Sequence, residues 1–409
     1  MADSAADMIG VNTHLNYHGT VYVDRFAELI RPRLVELGVR HIRDNPGDHH
    51  DTPTKQRFVD LAQQGVRVLL ANWNHGHIAY VKSLNAMGVG TPVVEAVEPP
   101  NEHDIAGRED WQESICDFSR IMHEAYKADP ATAGLTVLGP SFANTRDAPG
   151  EVAEVCDDAS ASMDAGNLHN YSGLHPEQAL AGGWGISLPE ALQRYRALAG
   201  DRPLWVSENG YRMSRPARGF PAVTERAAAK YLPRQFLMHL KQGVPRYYIY
   251  QLINNDDEDF GLLNDDGSRR LQYVAVKNFI ALFGDPGPAF GPGTLDYSLS
   301  GDLADIQRAL FQKRDGRFYL VIWQGVASVE EAPDGSLRDI EPAPRQLTLQ
   351  LSSPIREARV LRPSFSLEPV ATHRDANGIA AIPLSVSDQI TVVELIPRSE
   401  VQACRPEGA

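Results

Sequence analysis

The sequence predicts an α/β protein, a (β/α)8 TIM barrel followed by an antiparallel β-sandwich, on three observations. Apolar strand-like runs occur eight times over the first two-thirds of the 409 residues, most of them separated by helix-periodic segments. Those runs do not alternate apolar with polar residues, which suits strands of a parallel sheet covered on both faces. Beyond Asp285-Pro286-Gly287-Pro288 and Gly291-Pro292-Gly293, strand patterns continue without helices. The predicted division is a barrel over 1–285 and a β-sandwich accessory domain over 286–409.

Taken in order, Met8–His14 reads as the first strand. Arg25–Leu37 has helical spacing and stops at Gly38, and Val39–Arg43 is the second strand. Phe58–Gln64 is a helix closed by Gly65, and Val66–Ala71 is the third strand. The remaining strands are read at Val94–Val97, Leu135–Leu138, Gly166–Tyr171, Leu204–Ser207 and Arg246–Leu252. Strand and helix units in alternation imply a parallel sheet, and eight of them imply closure. An open doubly wound sheet is the alternative, but no Gly-x-Gly-x-x-Gly turn follows the first strand. In the tail, strands are expected at Leu310–Lys313, Arg317–Trp323, Gln346–Leu351, Ala358–Leu361 and Ile390–Leu395. Asp315-Gly316 and Asn377-Gly378 are expected hairpin turns.

Composition narrows the function. A net charge of −14, from 53 acidic and 39 basic residues, argues against a nucleic-acid or anionic-membrane partner. It fits a neutral substrate such as a sugar. No run approaches the roughly 18 apolar residues that span a bilayer. Met1–Asp7 lacks the basic and apolar regions of a signal peptide. Secretion after removal of a signal and a cytoplasmic location both stand as readings. The three cysteines, Cys116, Cys156 and Cys404, contain no Cys-x-x-Cys pair, and an odd count excludes a fully paired framework. They read as free thiols, although the arithmetic does not say whether Cys116 meets Cys156.

Two glutamates stand where chemistry is done in such a barrel. Glu102, in Pro99-Pro100-Asn101-Glu102-His103, follows the fourth strand. Glu208, in Ser207-Glu208-Asn209-Gly210, ends the seventh. Carboxylates just past buried strands sit at the C-terminal rim, and two that face each other are the machinery of glycoside hydrolysis. The pair resembles glycoside hydrolase clan A, with bacterial family 39-like and family 5-like retaining enzymes nearest, over roughly residues 8–285. The resemblance implies Glu102 as acid/base and Glu208 as nucleophile. The acid must carry a proton, so its pKa is expected to be raised, whereas the nucleophile must be ionised.

The resemblance also implies that Arg43, ending the second strand, bonds Glu208. It implies that His169 and Tyr171, ending the sixth, lie near the two glutamates, and that Asn101 bonds the substrate 2-hydroxyl. His14 and Asn72 end the first and third strands and are further substrate-binding candidates. Trp73, Trp184 and Tyr211 are candidate stacking platforms for a pyranose. The chain departs from the clan in its Pro-Pro-Asn-Glu-His, where Gly-Pro-Asn-Glu-Pro is common. It departs again in ending strand eight with Tyr250-Gln251-Leu252-Ile253-Asn254, where tryptophan is frequent.

His49-His50-Asp51 and the run Asn254–Asp259 read as solvated loops, so no metal and no cofactor are expected. The function predicted is a retaining glycosidase acting on a β-linked oligo- or polysaccharide. An arabinosidase or other clan activity is one alternative. A non-catalytic carbohydrate-binding barrel is another, disfavoured because both glutamates and Arg43 are present. An aldolase would need a strand-end lysine, and Lys241 falls in a helix pattern.

Overall fold

The computed structural model describes residues 1–48, 50–177, 186–213, 221–254 and 259–397. Among these, the first sheet consists of β1 Ile9–Asn12, β2 His41–Asp44, β3 Arg67–Ala71, β4 Val94–Glu98, β5 Thr136–Val137, β6 Gly166–His169, β7 Leu204–Asn209 and β8 Tyr247–Ile249. All neighbours are parallel, in the order β5-β4-β3-β2-β1-β8-β7-β6. The two ends meet, because Leu138 bridges Ala165 in parallel and the Gly139 N–H donates to the Ala165 carbonyl at 2.8 Å. The ring is therefore closed, as the sequence predicts.

A helix follows every strand of the ring, and local chemistry sets their ends. Asp51 caps Thr52–Gln63 by accepting from the Thr54 N–H at 3.0 Å, with Pro53 in the first turn. Gly38, at φ +83°, ends Arg31–Leu37 in the left-handed conformation that glycine tolerates best. The segment predicted as one helix over 25–37 contains a π turn at Phe26–Ile30 before Arg31–Leu37 begins.

The barrel interior is layered by the two-residue period of its strands. Leu69, Ala96, Leu138, Ala165, Trp205 and Tyr248 form an apolar layer. A β-carbon on Gly10 would lie 2.4 Å from the Tyr248 ring, so only glycine lets that ring fill the barrel. Two residues further along each strand the layer becomes polar. Asn12 follows Gly10, Arg43 follows His41, Glu98 follows Ala96, Asn167 follows Ala165 and Ser207 follows Trp205, and all five are buried.

The tail comprises β9 Tyr297–Gly301, β10 Ile306–Gln312, β11 Phe318–Gln324, β12 Val329–Glu331, β13 Leu337–Asp339, β14 Arg345–Arg362, β15 Ser366–Val386 and β16 Thr391–Ile396. Its antiparallel sheet runs β10-β11-β16-β14-β15 with β9 added on β14, and β12 pairs with β13 separately. Leu347 and Leu349 of β14, Ile382 and Leu384 of β15, and Leu320, Val393 and Leu395 share one core. The opposite face of β11, with Tyr319, Val321 and Trp323, joins the barrel's core. That double burial explains why β11 reads as an unbroken apolar run.

Three expectations are corrected here. The runs 346–351 and 358–361 are parts of the single strand β14. Asn377-Gly378 is not a hairpin turn but lies inside β15, where the register jumps from Ile355↔Ile379 to Glu357↔Arg374 and Gly378 takes φ +90°. Asp315-Gly316 does fall between β10 and β11, as expected. Finally, Cys116 and Cys156 are not free thiols. They form a disulfide with Cα atoms 5.9 Å apart, joining helices Trp111–Ala128 and Ala148–Val155. Trp184, His49, residues 255–258 and Cys404 lie outside the described residues.

The tail is pinned by buried charge. Arg234, on helix Glu225–Lys241, donates to the Val326 carbonyl at 2.9 Å and the Asp388 carbonyl at 3.1 Å, and it pairs with Glu177. Trp323 Nε1 donates to the same Glu177 at 3.0 Å. Burial raises the Glu177 carboxyl, but His175 and Arg234 outweigh it and hold the pKa at about 2. A carboxyl with a depressed folded pKa stabilises the fold above its ordinary value near 4.5 and loses that contribution as pH falls toward 2. Wild type should therefore exceed Glu177→Gln by on the order of 3 kcal/mol at pH 7. Denaturant unfolding should show that gap narrowing by pH 2.5, and an equal gap at both pH values contradicts the assignment.

Candidate active site

Arg43 ends up at the centre of the polar layer because β2 carries it to the rim facing inward. Its Nε donates to Glu98 Oε1 at 2.6 Å, and its Nη1 donates to Asn12 Oδ1 and to Glu208 Oε2, both at 2.9 Å. Its Nη2 donates to Asn101 Oδ1 at 2.6 Å. One guanidinium thus ties together the ends of β1, β2, β4 and β7. Glu98 is fully buried, and its other oxygen accepts from Asn167 Nδ2 at 2.6 Å. A planar fork of fixed donors suits this arrangement, and lysine could not replace it.

Glu208 accepts a second hydrogen bond on its other oxygen, from the Tyr171 hydroxyl at 2.5 Å. Burial and the Glu208 charge hold the Tyr171 hydroxyl well above the ordinary phenol range, so it stays a donor. Glu102 stands opposite, four residues past Glu98. Its backbone takes φ +44°, a conformation that costs a residue with a β-carbon about 1–3 kcal/mol and gathers at functional sites. Its Oε1 lies 2.8 Å from His169 Nδ1, and His169 Nε2 lies 2.9 Å from Ser207 Oγ.

Burial raises the Glu102 carboxyl, but the hydrogen bond and charge of His169, with Arg43 beyond, outweigh it and hold the pKa below its ordinary value. Burial lowers His169, whereas the charges of Glu208 and Glu102 and the Glu102 hydrogen bond raise it by more. This reverses the expectation of a raised Glu102. In the free site the shared proton therefore rests on the His169 side of the pair.

Glu102, His169 and Glu208 each offer an atom within 4.8 Å of the others. Such a cluster could suggest a cation, but Arg43 already lies 2.9 Å from Glu208 and His169 is bonded to Glu102. A metal ion there would face a guanidinium. The donor set fits proton transfer.

The other candidates divide. Asn101 is at the site, but Arg43 holds its amide oxygen, so the amide nitrogen is the group free to meet a sugar. His14 is buried beside Tyr17, Tyr22 and Tyr250, and burial together with the Arg43 charge lowers its pKa to about 4, leaving it neutral. Trp73, two residues past β3, is half exposed.

Two candidates are corrected. Asn72 is buried and bound to structure, donating to the Leu70 carbonyl at 3.0 Å and accepting from the Tyr126 hydroxyl at 3.2 Å. Tyr211 is buried against Tyr231 with its hydroxyl accepting from Gln235 at 2.9 Å, so it presents no face to a sugar. Reading the sequence missed Glu98, Asn12, Asn167 and Ser207. A signal for them existed, since each lies two residues past an interior position of its strand.

No protein-family model matches the chain, and no curated protein matches it significantly. Solved structures do match. A family 39 glycoside hydrolase from the gut symbiont Bacteroides cellulosilyticus WH2 superposes with TM-score 0.64 at 15% identity, covering 97% of this chain and 82% of that one. A GH30 endoxylanase from Clostridium papyrosolvens C71 gives 0.57 at 12% identity, covering 95% and 96%. A family 51 α-L-arabinofuranosidase from Bifidobacterium longum gives 0.56 at 14%, also covering 95% and 96%. The chain has the fold of these glycoside hydrolases. The likeness extends over barrel and tail together. Among the described residues, no helix is long and apolar enough to cross a membrane.

Proposed function

We propose that the protein is a retaining glycoside hydrolase that cleaves a β-linked oligo- or polysaccharide by double displacement. The observation that carries this reading is the pair of carboxylates at the ends of β4 and β7, with oxygens within 4.8 Å and different surroundings. Oxygens that close support the retaining arrangement, with carboxyls about 5–5.5 Å apart, over the inverting one, with a gap of about 6.5–9.5 Å. Three solved structures sharing the fold bear glycoside hydrolase names, which supports the same reading.

Glu208, steadied by Arg43 and Tyr171, attacks the anomeric carbon, and the bond to the glycosidic oxygen breaks. Glu102 gives that oxygen a proton. A bound sugar excludes water and increases the burial of Glu102, which favours its neutral form and draws the proton from His169 to the carboxyl. In the second half, Glu102 takes a proton from water, whose oxygen then displaces Glu208. The net result is hydrolysis with the anomeric configuration kept.

The test is a panel of aryl β-glycosides, an aryl α-L-arabinofuranoside and plant and bacterial polysaccharides, with product anomers read by NMR. Release of a sugar with retained configuration supports the reading. Turnover of none of them, or inversion, overturns it. The arabinofuranoside arm matters because the family 51 enzyme shares the fold.

The disulfide supports a secreted protein, since oxidising compartments are where such bonds persist. Denatured, unreduced protein should titrate one thiol of its three cysteines. Three reactive thiols would contradict this.

A further inference from the structure

Ser207 stands one hydrogen bond behind the acid/base. It is fully buried on β7, just before Glu208, and its carbonyl accepts from Asn12 Nδ2 at 3.2 Å. Its Oγ lies 2.9 Å from His169 Nε2. His169 is buried too, and the Thr145 hydroxyl pins it by donating to its carbonyl at 2.8 Å. Among the described residues, Nε2 has no other hydrogen-bond partner.

The two ring nitrogens have different tasks. Ionised Glu102 can only accept, so Nδ1 must carry a proton to make its 2.8 Å contact. Nε2 faces a hydroxyl, which can accept or donate. If Nε2 holds only a lone pair, the Nδ1 proton is the last on the ring, and giving it to Glu102 would leave an imidazolate. If Nε2 keeps a proton of its own, Nδ1 can give its proton to Glu102 and leave a neutral ring.

The groups around the ring favour the second state. The carboxylates of Glu208 and Glu102 act on it from β7 and from the loop after β4. Against them stands one cation, Arg43 of β2, which is itself bonded to Glu98 and Glu208. The Tyr171 hydroxyl, beyond the end of β6, stays protonated. Burial lowers His169, but the carboxylates outweigh it. The free ring is an imidazolium, and its Nε2–H donates to Ser207 Oγ.

We propose that Ser207 is a positioning residue for the acid/base: by accepting from His169 Nε2 it keeps a proton on that nitrogen, so that Nδ1 is the atom that exchanges a proton with Glu102. When substrate binds, the proton passes from Nδ1 to Glu102 Oε1. The carboxylate becomes the acid, the imidazolium becomes a neutral ring with its proton on Nε2, and the net charge of the pair is unchanged. A hydrogen bond from a charged donor is roughly twice as strong as a neutral one, and a buried N–H without an acceptor is costly. Removing Oγ therefore penalises the imidazolium more than the neutral ring. The catalytic consequence rests on the glycosidase reading, whereas the place of the proton does not.

The test has two arms. NMR of protein isotopically labelled at histidine nitrogen reads the ring protons, with His169 assigned as the signal that His169→Gln lacks. At pH 6.5, the ordinary histidine midpoint, wild type should be mostly imidazolium, and Ser207→Ala mostly a neutral ring protonated on Nδ1. Ser207→Thr, which keeps the hydroxyl and suits a strand, should restore the wild-type form. In kinetics, Ser207→Ala should lower kcat/KM for β-linked oligosaccharides about tenfold more than for activated aryl β-glycosides, whose leaving group needs no proton. The basic limb of its pH profile should move down by about one unit or more, and Ser207→Thr should reverse both effects. Simple loss of folded protein would lower both substrates alike and leave the limb in place. A neutral wild-type His169 protonated on Nδ1, a spectrum that Ser207→Ala does not change, or an unmoved substrate ratio overturns the proposal. The wild-type spectrum needs no variant, so it decides even if Ser207→Ala does not fold. Turnover of no glycoside by wild type overturns the glycosidase reading instead, and the spectra then decide on Ser207.

Discussion

Glu208→Ala is expected to lose turnover of every substrate by about five orders of magnitude or more, the scale seen when a covalent nucleophile is removed. Without that carboxylate no bond forms to the anomeric carbon, and no choice of leaving group compensates. The variant should still fold. Arg43 keeps Glu98, Asn12 and Asn101 as acceptors, so no buried cation is left alone. An unfolding midpoint close to wild type alongside lost activity is the expected combination. Rates near wild type on any good substrate would show that Glu208 is not the nucleophile.

Glu102→Ala is expected to divide substrates by leaving group. Alkyl and sugar leaving groups need a proton as the bond breaks, and their rates should fall by about 10²–10⁴. Activated aryl glycosides do not need it, so their glycosyl-enzyme should still form. Its hydrolysis lacks a base and should be slow, giving a burst of aryl alcohol followed by a low steady rate. Azide needs no deprotonation and should speed that second step, releasing a β-glycosyl azide if the natural linkage is β. Azide with Glu208→Ala should give the opposite anomer or nothing. An exchange of the two outcomes would reverse the roles of Glu102 and Glu208.

Much of the barrel is legible because buried parallel strands leave unbroken apolar runs, and all eight runs are strands of the ring. The two glutamates are legible because each stands just past such a run. Glu98 was hidden by its own strand. In Val94-Glu95-Ala96-Val97-Glu98 it reads as a polar end, and only the ring reveals that it faces inward onto Arg43 from a different strand. Asn72 and Trp73 show the opposite difficulty. They are adjacent, yet one turns into the wall to bond Tyr126 and the other turns out to water. Strand-end position fixes height in the barrel, not the direction of a side chain in the loop beyond.

The direction of the Glu102 shift was beyond the sequence for a related reason. It depends on a 2.8 Å contact with His169, which chain order places 67 residues away. The tail was misread where strands are long. β14 bends through a register shift near Ile355, and the polar stretch there looks like a loop. Asn377-Gly378 has the residues of a hairpin turn, but β15 continues through it because β14 pairs on both sides. Cysteine counting could exclude a full set of bridges, yet could not bring Cys116 to Cys156, which depends on the packing of two neighbouring helices.

The central claim is that Glu208 carries the sugar between the two halves of the reaction. Incubation with a 2-deoxy-2-fluoro β-glycoside bearing an activated leaving group slows the second half more than the first and should trap the ester. Intact mass should then rise by one fluoroglycosyl unit, and peptide mapping should place it on Glu208. The same unit found on Glu102 or on any other residue would contradict the account.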